Sequence, residues 1–286
     1  NGWYDIFLIH TDGDIVYTVA REPDLGMVIP ESELKDSGLG RAFQKALEAG
    51  PDEIVVADFE AYAPSKGAQA AFMISQIHDN YNNLVGLIAF QIPVDKLNQI
   101  VQQREGMGQT GESYLVGEMN GVTSYRSDRV VKSGKIGKTK SGDSITKALK
   151  GESGIGIKTG STGKMEMEAF SPISIEGMNW VLISSISLEE IIAPKIAGDD
   201  KDYYTKYIDK YGYYDLFVMN PDGYVYYTVT KEADYQTNMV DGKYKDSGLG
   251  KLTREVLKTK KFGIADFAPY APSNGDPAAF IAQPSL

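Results

Sequence analysis

The chain has 286 residues, a 42% apolar and 24% charged composition, and a formal net charge of −10. That length suggests two or three domains, and the composition excludes wholesale disorder. The acidic balance, without a Lys/Arg cluster to offset it, argues against nucleic-acid binding. The absence of cysteine removes disulfides, thiolate metal sites and thiol catalysis together.

In chain order, an aromatic and β-branched run, Trp3 to Ile9, meets the turn Thr11-Asp12-Gly13 and a second run, Ile15 to Ala20. This pattern predicts a β-hairpin. Asp36-Ser37 then stands as a helix cap before Leu39, Ala42, Phe43, Ala46 and Leu47, with Gly50 as the stop. Strands are predicted around Glu53–Phe59, Ala70–Ile77 and Leu84–Ile92, and Pro93 opens a short connecting helix with Leu97, Ile100 and Val101 on one face. Leu84 to Val94 is the longest apolar stretch, interrupted by Gln91 and Pro93 and far short of the ~18 residues that a membrane helix needs.

A middle segment follows. Ser113 to Gly117 reads as a strand, Ser144 to Lys150 as a helix, and Ile155 to Lys158, Met165 to Pro172 and Trp180 to Ile186 as strands between glycine-rich turns. Asp199-Asp200 then caps a helix bearing Tyr203, Tyr204, Tyr207, Ile208 and Tyr211. It is expected to lie on the following sheet, or else to present an aromatic stripe for dimerisation.

The last segment repeats the first. Residues 4–47 match 214–257 without gaps at 17 of 44 positions, and after a two-residue deletion Asp58 to Phe72 matches Asp266 to Phe280 at 10 of 15. Lys35 to Gly40 recurs unchanged as Lys245 to Gly250. Self-similarity at this level marks a duplicated structural unit. Each unit reads as an α/β module with an antiparallel sheet and helical cover.

Chemistry-bearing constellations are scarce. His10 and His78 show no metal-ligand spacing and read as surface residues. No serine stands in a nucleophile elbow, and the glycines from Gly134 to Gly163 fit turns rather than phosphate loops. No cofactor or metal is implied. Asp58 and Asp266, each beside a phenylalanine, are the strongest acidic candidates, for turn capping, pocket lining or acid/base work. Arg126, Asp128 and Arg129 read as a solvated salt-bridge cluster.

Tyr4 to Ile9 with Gly13 to Val19, Asp58-Phe59, Tyr62-Ala63-Pro64-Ser65, Ala70-Ala71-Phe72 and Gly86 to Pro93 resemble the double-Cache extracytoplasmic sensor region of prokaryotic chemoreceptors and sensor histidine kinases. Gly108 to Gly117, Tyr125 to Arg129 and Gly177 to Trp180 resemble the start and end of its membrane-proximal module. The resemblance implies tandem PAS-like (Cache) modules: 1–104 of the distal type, lacking its N-terminal helix; 105–197 of the proximal type; and 198–286 repeating the distal type without its closing strand. The chain then reads as a fragment of tandem sensor regions, whose third module should show an exposed sheet edge.

The implied function is non-catalytic small-molecule sensing in the periplasmic or extracellular part of a membrane-bound signal transducer. Membrane attachment would come only through segments outside the fragment, and the full-length receptor would be a homodimer. The alternatives are a ligand-free spacer or protein-interaction array, and a carboxylate-dependent hydrolase. The expected ligand contacts are Tyr17, Asp58, Tyr62, Ser65 and Gln91, with Tyr227, Asp266, Tyr270 and Ser273 as their counterparts. Amino-acid-binding relatives resemble one another in an Arg-x-Trp-Tyr segment and two later aspartates. Here Arg41-Ala42-Phe43-Gln44, Tyr62-Ala63-Pro64 and Gln91 stand in those places. A buried ammonium needs a carboxylate partner, so a neutral or weakly charged ligand is expected in place of an α-amino acid.

Overall fold

The computed structural model describes residues 2–195 and 198–284; Asn1, Ile196, Ala197, Ser285 and Leu286, where the expected module ends fall, lie outside the described residues. The chain divides into two compact units, residues 1–155 with 168–185, and residues 156–167 with 186–286.

The first unit opens with β1 (Asp5–Ile9) and β2 (Ile15–Thr18), the predicted hairpin. Asp12 accepts a hydrogen bond from Asp14 N, and Gly13 takes a left-handed φ of +99° that few other residues adopt. Two 3₁₀ turns lead into α1 (Gly38–Glu48), capped by Ser37 as the sequence predicts. A Cβ on Gly40 would lie 2.1 Å from Leu34 O, and one on its counterpart Gly250 2.4 Å from Lys245 O, which explains the glycine at this place in both repeats. β3 (Val55–Tyr62), β4 (Ala68–His78) and β5 (Leu84–Gln91) complete an antiparallel sheet ordered β2-β1-β5-β4-β3. The closing strand thus lands centrally, between β1 and β4. Phe7, Ile9, Phe72, Ile74, Leu87 and Ala89 face α1 from alternate positions, forming one buried core.

After α2 (Val94–Val101) come β6 (Glu112–Met119), β7 (Val122–Tyr125), α3 (Asp143–Leu149), β8 (Gly154–Thr159), β9 (Met165–Ile175) and β10 (Met178–Ser187). Their sheet is ordered β7-β6-β10-β9-β8, the same topology again. β7 was not anticipated: its four residues, Val122-Thr123-Ser124-Tyr125, are too few to show a period. Both sheets fit the tandem PAS-like α/β class.

The second unit contains α4 (Leu188–Ile192), α5 (Tyr203–Tyr211), β11 (Phe217–Met219), β12 (Val225–Thr228), α6 (Gly248–Thr259), β13 (Gly263–Pro269) and β14 (Pro277–Ala282). Asp202, rather than Asp199-Asp200, caps α5 by accepting from Thr205 N. Its tyrosines divide: Tyr204 packs on Tyr227 at 5.2 Å, while Tyr203 and Tyr211 stay 64% and 57% exposed. Among the described residues β11 pairs with β12 and β14 with β13, as two separate hairpins. The repeat therefore presents open edges on β11 and β14 where the first copy holds β5.

Candidate functional site

The core face of the first sheet is apolar along most of its length and turns polar at one end. There Asp5 in β1 lies opposite Gln91 in β5, which lies opposite Phe72 in β4. Asp5 is buried and accepts from Val19 N, Ala20 N and the Thr18 hydroxyl, so the chain leaving β2 is bent over the end of the sheet. That bend delivers Glu22 and Asp24. From the other side, β3 ends at Tyr62, and the turn after it presents Ser65.

These side chains form one hydrogen-bonded cluster. The Tyr62 hydroxyl donates to Asp24 Oδ2 at 2.8 Å, and its ring packs edge-on against Phe72 at 5.0 Å. Glu22 accepts from the Ser65 hydroxyl at 2.6 Å and from Tyr4 at 3.0 Å. Burial, then the charges of Glu22 and Asp5, push the Asp24 carboxyl up, although the Tyr62 hydrogen bond opposes the shift. Burial and Asp24 raise the Tyr62 phenol far above its ordinary range, so it stays a donor at neutral pH. Two buried acceptors are left over: Asp24 Oδ1 and Gln91 Oε1 have no hydrogen-bond partner. A buried polar atom without a partner is costly and calls for an explanation. An open recess of about 270 Å³, lined by Trp3, Tyr4, Asp5, Ile6, Val19 and Phe90 among others, meets the cluster only at Tyr4 and Asp5.

The duplicate reproduces the arrangement. Asp215 accepts from Thr228, Val229 N and Thr230 N; Glu232 accepts from Ser273 at 2.7 Å and from Tyr214; Asp234 accepts from Tyr270 at 2.6 Å. Asp234 Oδ1 is again buried and unpartnered. Of the sequence-predicted residues, Tyr62, Ser65, Tyr270 and Ser273 therefore join these clusters, and Gln91 sits in the adjoining row. Tyr17 stands on β2 at 47% exposure, whereas its counterpart Tyr227 is buried and donates to Asp202.

Asp58 turns to different partners. Arg126 meets it through Nε at 2.8 Å and through Nη2 at 2.7 Å, and Trp180 Nε1 donates at 2.9 Å. Its counterpart Asp266 is exposed. The expected solvated cluster is corrected as well. Arg126 and Arg129 are 1% and 5% exposed in ion pairs with Asp58 and Glu112, and only Asp128, paired to Lys135, lies near the surface. Long side chains with a planar fork can be buried where a carboxylate meets both nitrogens, which a residue count does not reveal.

Sequence reasoning missed Tyr4, Asp5, Glu22 and Asp24 as site residues. The signal was present, since all four are identical in the repeat as Tyr214, Asp215, Glu232 and Asp234. The cluster consists of acceptors and hydroxyl donors. Among the described residues no group of three or more His, Cys, Asp or Glu has metal-binding geometry.

The family profile described as Cache domain matches residues 1–194. No curated protein matches the chain. Among solved structures, the ligand-binding domain of the Pseudomonas aeruginosa amino acid chemoreceptor PctC, in complex with GABA, is 18% identical at a TM-score of 0.44, covering 65% of this chain and 74% of that one. That of the PctB receptor from the same organism, in complex with L-Gln, is 14% identical at a TM-score of 0.44, covering 73% and 75%. An extracellular ligand binding receptor from Desulfohalobium retbaense is 16% identical at 0.43; 65% of this chain is covered, but only 30% of that receptor's length.

Proposed function

Because the chain belongs to the Cache domain family, we propose that it is the small-molecule-sensing, non-catalytic part of a membrane-bound signal transducer, acting outside the cytoplasm. No helix among the described residues is long and apolar enough to cross a membrane. The ligand is held by Tyr62 and Ser65 together with Asp24, Glu22 and Gln91, and the repeat offers Tyr270 and Ser273 with Asp234 and Glu232.

The observation that carries this reading is the pair of buried carboxylate oxygens, Asp24 Oδ1 and Asp234 Oδ1, left unpartnered in both copies of one hydrogen-bond pattern. The expectation of a neutral ligand rests on a missing acidic partner; with the Asp24 carboxylate beside Tyr62, such acceptors suit a small molecule that brings N–H or O–H donors, an ammonium included. Signal transfer has a direct route, since β3 carries Tyr62 at its end and Asp58, paired with Arg126, at its centre. A ligand that binds one setting of β3 better than another shifts the module's equilibrium by that difference in affinity, and a homodimer carries the shift across the membrane.

Calorimetric titration after a thermal-shift screen of amines, organic acids, nucleobases and amino acids tests the proposal. A hit is expected whose affinity falls about 10-fold in Tyr62→Phe, the loss of one hydrogen bond to a charged group. Well-folded protein that binds nothing, or a ligand indifferent to both Tyr62→Phe and Asp24→Asn, overturns it.

A further inference from the structure

The middle sheet turns polar at the same end as the first. Glu112 in β6 lies opposite Ser185 in β10, as Asp5 lies opposite Gln91. Glu112 is fully buried and accepts from Val130 N at 3.0 Å and Val131 N at 2.9 Å. It thereby bends the chain after β7 as Asp5 bends the chain after β2. Arg129 takes the part that Thr18 plays in the first sheet. It donates to Glu112 through Nη2 from a side chain only 5% exposed, and its guanidinium lies 4.3 Å from the centre of the Tyr114 ring.

Two polar atoms at this end are left over. Arg129 Nε and Ser185 Oγ are buried and have no hydrogen-bond partner among the described residues. One belongs to the ion-pair partner of Glu112, the other to its neighbour across the ladder. In the first module the leftover atoms, Asp24 Oδ1 and Gln91 Oε1, are acceptors. Here they are a guanidinium N–H and a hydroxyl, which donate. Arg129 also borders open space. A recess of about 490 Å³ lies between α2 and the segment after β7, lined by Asn98 and Gln102 on one side and by Asp128, Arg129 and Val130 on the other. Its walls are already joined, since Asp128 N donates to Asn98 Oδ1 at 2.8 Å and Gln102 Nε2 donates to Asp128 O at 3.1 Å.

We propose that the middle module carries a second small-molecule site, separate from the Tyr62–Asp24 cluster, where an uncharged molecule with carbonyl or hydroxyl oxygens enters the recess beside α2 and accepts from Arg129 Nε and the Ser185 hydroxyl. Polarity and charge both follow from the residues. The unpartnered atoms are donors, and a buried donor without an acceptor is costly, so the occupant brings acceptors. The cations at the recess are already matched, Arg129 by Glu112 and Lys135 by Asp128, and Asp95 adds a further negative charge to the lining. An incoming carboxylate would be desolvated without a counter-charge of its own, which disfavours it.

Selective 15N-arginine labelling of the 286-residue chain observes the guanidinium Nε–H groups directly by NMR, and acetamide and acetate are probes of one shape and different charge. Acetamide is expected to shift the Arg129 Nε–H signal saturably, with a Kd of about 1 mM, the order its four non-hydrogen atoms allow. The Arg126 signal, whose Nε–H already donates to Asp58, is expected to stay in place. Acetate is expected to bind about 10-fold more weakly. Ser185→Ala is expected to weaken acetamide roughly 5-fold, the loss of one hydrogen bond. An Arg129 signal that acetamide leaves unmoved, acetate that binds as tightly as acetamide, or an unchanged affinity in Ser185→Ala overturns the proposal. Should Ser185→Ala fail to fold, the two titrations of the unsubstituted chain decide.

Discussion

Tyr62 and Asp24 depend on each other, since among the described residues the phenol supplies the one side-chain donor that reaches the buried carboxylate. Tyr62→Phe keeps the ring on Phe72 and removes only that donor, so both Asp24 oxygens become orphans. A loss of about 1–3 kcal/mol in unfolding free energy is expected from urea titration. Asp24 also sets a pH dependence. Its carboxyl pKa is raised in the folded state by burial, so the folded chain holds this proton more tightly than the unfolded one. Its contribution to stability therefore falls as pH climbs from the ordinary carboxylate range through the raised value, and is flat above it. Asp24→Asn removes that slope. The difference in unfolding free energy between the two proteins is expected to widen in favour of the variant as pH rises to neutrality, while ligand affinity declines.

At the scale of elements, β3 joins a ligand site to a latch. The Asp58–Arg126 pair is buried on both sides, at 9% and 1% side-chain exposure. Removing one partner strands the other charge, so Asp58→Asn is expected to cost about 3–5 kcal/mol by chemical unfolding. Asp266→Asn, at an exposed position, is expected to stay within about 0.5 kcal/mol in the 286-residue chain. The same residue at the same place in the repeat thus has two values, set wholly by what covers it. The start of α1 gives the opposite case, because Ser37 and Ser247 cap their helices alike, through Gly40 N at 3.1 Å and Gly250 N at 3.0 Å. Ser37→Ala and Ser247→Ala are each expected to cost about 1 kcal/mol in the unit that carries them.

Across the whole molecule the two units differ in how much core holds them. The first repeat buries Phe7, Phe43, Tyr62, Phe72 and ten further side chains in one cluster with Ile9, beneath a five-stranded sheet. The second gathers Val225, Met239, Tyr244, Leu249 and Tyr270 over two separate hairpins. Two-stranded hairpins are marginal without further strands. Amide hydrogens of β11 to β14 are therefore expected to exchange faster than those of β1 to β5, measured by mass spectrometry on the intact chain.

The amino-acid sequence by itself determined the local features: the Asp12-Gly13 turn, the Ser37 cap, the strands of alternating burial, and the duplication that marks Tyr62 and Ser65 together with Tyr270 and Ser273. These depend on neighbours a few residues apart, so their physics is written in spacing. The surroundings of Asp58 and Asp266 were not legible in that way. Both stand in the same Ala-Asp-Phe context, and only the tertiary structure brings Arg126 and Trp180, 68 and 122 residues away, onto one of them. The same holds for Asp24, whose partner Tyr62 lies 38 residues on and whose burial depends on a bend fixed by Asp5. Long-range pairing decides which carboxylates are neutralised and which are left as acceptors, because desolvation acts through whatever lies near in space.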